Sequence, residues 1–515
     1  MGWNYEKSLE RIQEHLDGMG EIEIQDLVRE ADLNSLLTET CCRRVHGAHV
    51  YTYVANFPRM ATDCAVDEAE YKRFLQAVHL YQREVARIVE DADKFDGLRV
   101  HFQGPKLHAL FYRPVKQTER LAVLAFFLQL VLKDFTNSVF NPAFPFSEDF
   151  TIAGGADVGD ATGTRNGRKG DRELLFLGPC ANHAAKIISS AGRLRVTKAL
   201  YEALPENLRA LCTKIDEDVY QINSVTQKRL DELLDEYKIK WDREASAERL
   251  AEDKRKFPLK DIEYSAAHVL IDLDALSIRN NKRVTAASIF GDVSGFTAYI
   301  DGAQTDEKKK EALRVLHAIR REMATVLTKD YEGLRVQYQG DRVQGLFHMP
   351  KDDEGKIATE AVEAAIGLQS SMEKTIKKKL PEAKDLRLAV GVDLDTTLVS
   401  KLGTRAHRDR ICLGEPVENA AAHEEDCEGG EIGISKRVYD ALPERLSKHF
   451  SYDKSKCCYV AKDLTWDKVE QAERAAAYAA GASVFVNSGG PGIRITGEEA
   501  RGARQVTPSS SWADE

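Results

Sequence analysis

The sequence holds no cysteine pattern that could frame a metal module or a disulfide scaffold: its nine cysteines include no CxxC pair and no histidine partner at zinc spacing. They read as reduced thiols of the cytoplasm. Positive charge is also lacking. A net charge of -10 and a pI near 5.8 argue against nucleic acid as a partner, because phosphate binding wants a basic face. No apolar run reaches the roughly 20 residues of a membrane helix, the greasiest stretch, Leu121 to Leu132, being about a dozen. The start, MGWNYEKSLERIQ, lacks the apolar core of a secretory signal, and Glu6 stands where N-myristoylation wants Ser or Thr. No membrane partner is expected. A hydrophobic share of 43% over 515 residues excludes wholesale disorder and allows two sizeable cores.

What the chain does have is a second copy of itself, the feature that decides the fold before any other. GLRVHFQG from Gly97 returns as GLRVQYQG from Gly333, LGPCANHAA from Leu177 as LGEPVENAA from Leu413, and TKALYEALPENL from Thr197 as SKRVYDALPERL from Ser435. Order and spacing are preserved, which indicates a duplicated domain. A fainter fourth pair sets HVYTYVANF, ending at Phe57, against SIFGDVSGF, ending at Phe296. Both are strand-type runs that lead through a turn into a helix. In those helices Phe74, Val78, Tyr81, Val85 and Ile88, and then Ala312, Leu316, Ile319, Met323 and Val326, recur at helical spacing.

Strand, helix, hairpin, helix, strand predicts an α+β fold, two tandem ferredoxin-like domains whose antiparallel sheets are covered by helices. The copies are placed at residues 46–222 and 283–462. Residues 1–45 are expected to form a helical N-terminal cap, 223–282 a charged helical connector with coiled-coil character, and 463–515 a helix followed by a disordered Gly/Ser/Pro-rich tail.

The copies diverge in their acids. Asp292 ends the FGDVSGF strand and Asp341 sits at the tip of the QGDRV hairpin, where the first copy has Tyr53 and Pro105. A single turn aspartate is ordinary. Two that are present together in one copy and absent together from the other point to one linked function. Paired carboxylates at strand ends suit two divalent cations in phosphoryl-transfer chemistry.

FGDVSGFTAYID and GLRVQYQGDRVQGLF resemble the two metal motifs of class III adenylate and guanylate cyclases, and the resemblance covers both copies. It implies head-to-tail pairing of the domains, with the metal aspartates from one and an Asn and a cation from the other. On GPCANHAAK these fall at Asn182 and Lys186; the second copy has Glu418 and Ala422 there. One complete site can be assembled. The resemblance assigns Asp292 and Asp341, with the Val293 carbonyl, to two Mg²⁺ or Mn²⁺ ions, and Phe296 to contacts with the triphosphate. Lys186 replaces the family's Arg, so a point charge stands in for a planar fork.

The base-reading positions carry His101 and Leu175, neither the adenine pair nor the guanine pair of the family, and Phe57 is expected beside them. Divergent cyclases of this kind resemble the pyrimidine cyclases of bacterial Pycsar antiphage defence. The expected substrate is therefore UTP, with CTP second. ATP turnover to cyclic AMP and a sensor without turnover are the alternatives. The expected unit is a monomer with an intramolecular domain pair, a homodimer staying open.

Overall fold

The computed structural model describes residues 2–166, 173–404 and 407–479; the tail expected from Ser488 lies outside them. In the first half, β1 (Glu23–Asp26), β2 (Cys41–Val54), β3 (Leu98–Gln103), β4 (Lys106–Phe111), β5 (Ile152–Asn166), β6 (Glu173–Leu177), β7 (Leu194–Thr197), β8 (Cys212–Lys214) and β9 (Val219–Ile222) make one sheet. Its path is β3-β4-β2-β5-β7-β9-β8, with β1 on β2 and β6 on β5. The second half repeats this with β10 (Tyr264–Ser265), β11 (Asn281–Ser294), β12 (Leu334–Gln339), β13 (Arg342–Phe347), β14 (Arg387–Thr404), β15 (His407–Leu413), β16 (Glu431–Ile434), β17 (Ser451–Asp453) and β18 (Cys458–Lys462), in the order β12-β13-β11-β14-β16-β18-β17. The core of each sheet is the expected antiparallel ferredoxin-like arrangement. The pairs β5–β7 and β14–β16 are parallel, so each sheet as a whole is mixed.

The predicted helices follow β2 and β11. Glu68–Glu90 is capped by Asp67, whose side chain accepts from the Glu70 N–H, and Asp306–Thr325 by Thr305, which accepts from the Lys308 N–H; each cap satisfies a donor the helix cannot. Their apolar stripes bury Phe74, Val78 and Ile88 in one core and Leu316, Ile319 and Met323 in the other. The Leu121–Leu132 run belongs to the Thr118–Phe135 helix, part of a helical stretch, Thr118–Ala143, that is long and apolar enough to cross a membrane. It is buried among its own half's side chains.

On the opposite sheet face two glycines let a helix sit hard against the strands. A Cβ at Gly155 would come within 2.2 Å of the Ala184 carbonyl, and one at Gly391 within 2.1 Å of the Ala420 carbonyl. No other residue fits at that separation. The helices seated there, Pro179–Lys186 and Glu415–Asp426, are the repeated segments that differ at Asn182/Glu418 and Lys186/Ala422.

The halves pack head to tail. Helix Pro179–Lys186 of the first lies against helix Phe296–Gly302 of the second, and Glu415–Asp426 of the second against Phe57–Cys64 of the first. The relation is repeated in ion pairs: Arg335 meets Glu173 at 3.4 Å, and Arg99 meets Asp409 at 3.3 Å.

One expectation needs correction. The connector is two helices, Gln227–Glu236 and Arg243–Lys256, rather than one coiled-coil element. It breaks at Lys238, whose φ is +57°, because Ile239 and Trp241 turn into the first half's core. The N-terminal helix Tyr5–Gly18 caps the second half: Arg11 pairs with Glu322 at 2.6 Å and Asp330 at 2.8 Å, and Trp3 Nε1 donates to Ser371 at 2.7 Å.

Candidate active site

Asp292 and Asp341 are brought together by sheet register. Gly291 pairs with Val343 at the end of the β11–β13 ladder, so the next residue, Asp292, stands level with the hairpin tip. There Gly340 adopts φ +74°, a left-handed turn that glycine takes without strain, and Asp341 follows. Burial first, and then the neighbouring Asp292 charge, push the Asp341 carboxyl well above its usual range. Burial raises Asp292 as well, and Glu425 adds to it, against the pull of Arg342. Among the described residues neither carboxylate has an ion-pair partner.

The cation that acts on Asp292 is already committed. Arg342 holds Glu424 at 2.5 Å, donates to the Ala421 carbonyl at 3.2 Å and lies 4.4 Å over the Phe290 ring. A half-buried, unneutralised carboxylate pair suits a divalent oxygen-seeking cation. No third His, Cys, Asp or Glu completes a metal cluster among the described residues, so such an ion would hold water and substrate oxygens as well.

At the corresponding place in the first half, Tyr53 pairs with Lys106 across β2 and β4. Burial, and then Glu418 and Glu425 of the opposite half, raise the Tyr53 hydroxyl. Burial, together with Glu425 and against Arg342, pushes Glu418 up to about 7. This second cleft carries acids where a triphosphate would lie.

Asn182 is half-buried on the Pro179–Lys186 helix, its backbone N–H bonded to the Gly178 carbonyl at 3.3 Å. Lys186 ends that helix, exposed and without an ion pair among the described residues. The helix they share packs on Phe296–Gly302, which starts four residues beyond Asp292.

Residues 279–466, which include both aspartates, match the adenylate and guanylate cyclase catalytic domain family. A uridylate cyclase of Pseudomonas aeruginosa is 32% identical over 466 residues, spanning 87% of this chain and 88% of that protein. The chain belongs to the class III nucleotidyl cyclases. A uridylate cyclase of a Rhizobium species is 27% identical over 76% of each chain. Among solved structures, a class III adenylyl cyclase-like ATP-binding protein from Pseudomonas aeruginosa superposes with a TM-score of 0.78 at 28% identity, over 92% of this chain and 99% of that one. Both halves of this cyclase are therefore part of the shared architecture.

The remaining expected residues fall in different places. His101 on β3 is half-buried with its Nε2 out of contact with solvent, and its imidazole is pushed down to about 3 by burial and then by the charges of Lys106, Arg320 and Arg99. It stands edge-on to His108 at 5.3 Å. Leu175 on β6 packs into the second half's apolar cluster, at the seam between the halves. Val293 and Phe296 continue from Asp292, their side chains in the same cluster. Phe57 is not with the others. Only 1% exposed, it packs 5.2 Å from Phe74 inside the first half's core, because head-to-tail pairing sends its helix toward the second cleft.

Sequence reasoning passed over His49, Tyr51 and His108. The Tyr51 ring stacks on His108 at 4.1 Å, and His49 Nδ1 and His108 Nε2 lie 3.0 Å apart. The available signal was alternation in HVYTYV, which puts His49, Tyr51 and Tyr53 on one strand face.

Proposed function

We propose that this cyclase converts a pyrimidine nucleoside triphosphate, UTP first and CTP second, into its 3′,5′-cyclic monophosphate and pyrophosphate. The observation that carries the reaction is the unpartnered carboxylate pair Asp292/Asp341 in one half, with the Asn182/Lys186 helix of the other half packed on the element that follows Asp292. In the reaction the ribose O3′ bonds to the α-phosphorus, the bond to the β-phosphate bridging oxygen breaks, and the hydroxyl proton is lost to solvent.

Asp292 and Asp341, with the Val293 carbonyl, would hold two Mg²⁺ or Mn²⁺ ions. When bound, these supply neutralisation of the triphosphate and a lowered pKa for the ribose hydroxyl. Asn182 orients the ribose. Lys186 stabilises the charge that grows on the α-phosphate, an effect worth about 3 to 4 kcal/mol for one such donor in comparable sites. The Phe296 backbone, at the start of its helix, faces the phosphates.

The pyrimidine reading is supported by the base positions. His101 and Leu175 offer neither a cationic nor a carboxylate reader, and the sheet face is occupied by Tyr51 stacked on His108 with His101 edge-on to it. The names of the two uridylate cyclase relatives point the same way. One observation favours ATP instead: the structural neighbour is described as ATP-binding. We place the enzyme in the cytoplasm of a bacterial cell, working as one chain, its product a second messenger in antiphage defence; the resemblance to Pycsar cyclases supports this.

Incubation with each of the four triphosphates and Mn²⁺, followed by chromatography of the nucleotides, tests the assignment. Cyclic UMP or cyclic CMP with matching pyrophosphate is expected. Turnover of ATP alone would refute the pyrimidine reading, and binding without pyrophosphate would leave a sensor.

A further inference from the structure

Arg320 sits on the Asp306–Thr325 helix of the second half, its side chain 2% exposed and its guanidinium 3.9 Å over the Tyr338 ring. A guanidinium carries five N–H donors and no acceptor. Nη2 donates to Glu173 Oε2 at 2.8 Å, while Nε and Nη1 have no acceptor among the described residues. Charged donors left unmet in a buried place are destabilising.

The surroundings of those donors are specific. Glu173 stands two residues before Leu175 on β6, so both side chains share a face, and Leu175 packs in the cluster that contains Leu316 and Ile319 from the helix bearing Arg320. Tyr338 stands three residues before Asp341 on the hairpin strand, and its hydroxyl donates to the Arg320 carbonyl. Strand β3, which carries His101, runs beside β6. His101 Nε2 is also buried without a partner among the described residues. Two orphan polar groups, one from each half, thus stand near each other: Arg320 against the hairpin strand that leads to Asp341, and His101 at a base position within reach of the Arg320 charge.

We propose that Arg320 is a specificity-determining residue that donates to the O4 carbonyl of a uracil ring while neutral His101 accepts from its N3–H. The proposal rests on the pyrimidine reading above and deepens it to uracil. Uracil presents an acceptor at C4 and a donor at N3; cytosine presents an amino donor at C4 and a lone pair at N3. Imidazole can exchange tautomers and serve either base. Guanidinium cannot accept, so it meets the cytosine amino group donor to donor. Glu173 fixes the guanidinium plane and does not itself read the base.

Steady-state kinetics of the full chain with UTP and CTP, for wild type, Arg320→Gln and Glu173→Gln, with thermal melts alongside, test this. In folded Arg320→Gln, kcat/KM for UTP is expected to fall on the order of 100-fold and that for CTP by less than about tenfold, the asymmetry of losing a hydrogen bond made to only one substrate. Glu173→Gln lowers the melting temperature and keeps the UTP preference. An unchanged UTP to CTP ratio in Arg320→Gln overturns the proposal, as does a wild-type preference for CTP. Should Arg320→Gln not fold, wild type is compared on UTP and 4-thio-UTP, whose sulfur accepts hydrogen bonds weakly. A fall in kcat/KM on the order of tenfold supports the contact, and equal rates overturn it. Wild type that cyclises neither pyrimidine defeats the parent reading, an outcome distinct from an unchanged ratio.

Discussion

Asp341 is a half-buried acid beside a second acid, with no ion-pair partner among the described residues, and its carboxyl is raised well above its usual range. Asp341→Asn removes that repulsion. Melting in chelator should show the variant more stable than wild type, while its cyclase activity is lost. A lower melting temperature in chelator would mean that the pair is satisfied by something else. The histidines give the opposite pH signature. His49 and His101 are each pushed down to about 3 by burial, and His108 is also lowered. Their folded pKa values lie below the unfolded value, so stability is complete above about 6.5 and declines as pH falls toward 3. The slope is about 1.4 kcal/mol per pH unit for each imidazole in that window. Denaturant titrations across pH should show His101→Gln shallower by one proton. Asp292 and Asp341 were legible because a strand–turn–helix motif and a hairpin tip repeat in both copies while the acids stand in only one. Arg320 was not legible: it falls between Ile319 and Met323 in an apolar stripe, and nothing in a linear pattern says that a charged neighbour of the stripe turns inward to meet a glutamate 147 residues away.

At the scale of elements, the seat of the Asn182/Lys186 helix decides whether its side chains reach the cleft. Gly155→Ala must push that helix off the sheet, since its Cβ meets the Ala184 carbonyl at 2.2 Å. Overpacking of this kind destabilises by about 1 to 3 kcal/mol. Gly391→Ala disturbs the equivalent helix over the acid-lined cleft. Similar losses of stability are expected in both, with kcat falling further in Gly155→Ala; equal kcat values would mean that the helix position does not matter. The repeat marked these two segments as equivalent, and the structure seats both as helices over a glycine of their own sheet. The connector was less legible. Its charged sequence hides Ile239 and Trp241, two apolar anchors too far apart from any periodic run to announce a break. Phe57 was misplaced for a similar reason: its local sequence mirrors Phe296, but which cleft each faces is decided only by how the halves pair.

For the whole molecule the decisive feature is reciprocity. Arg335–Glu173 and Arg99–Asp409 tie the halves at equivalent points, and the Tyr5–Gly18 helix straps the chain's start onto its later half. Arg11→Ala would leave Glu322, with a side chain 2% exposed, short of its cation. A loss of about 3 kcal/mol is expected for breaking such a buried pair, read by chemical denaturation; a change near zero would show the strap to be peripheral. The proposed function requires that one chain contain a full site. Full-length Asp292→Ala and Lys186→Ala should each lose activity, by about 10²- to 10³-fold for the lysine. Mixing the two purified variants and assaying pyrophosphate release from UTP is the most direct test of an active site shared between unlike halves of a single polypeptide. No recovery on mixing is predicted; wild-type turnover by either variant alone, or activity restored by the mixture, would contradict the shared site.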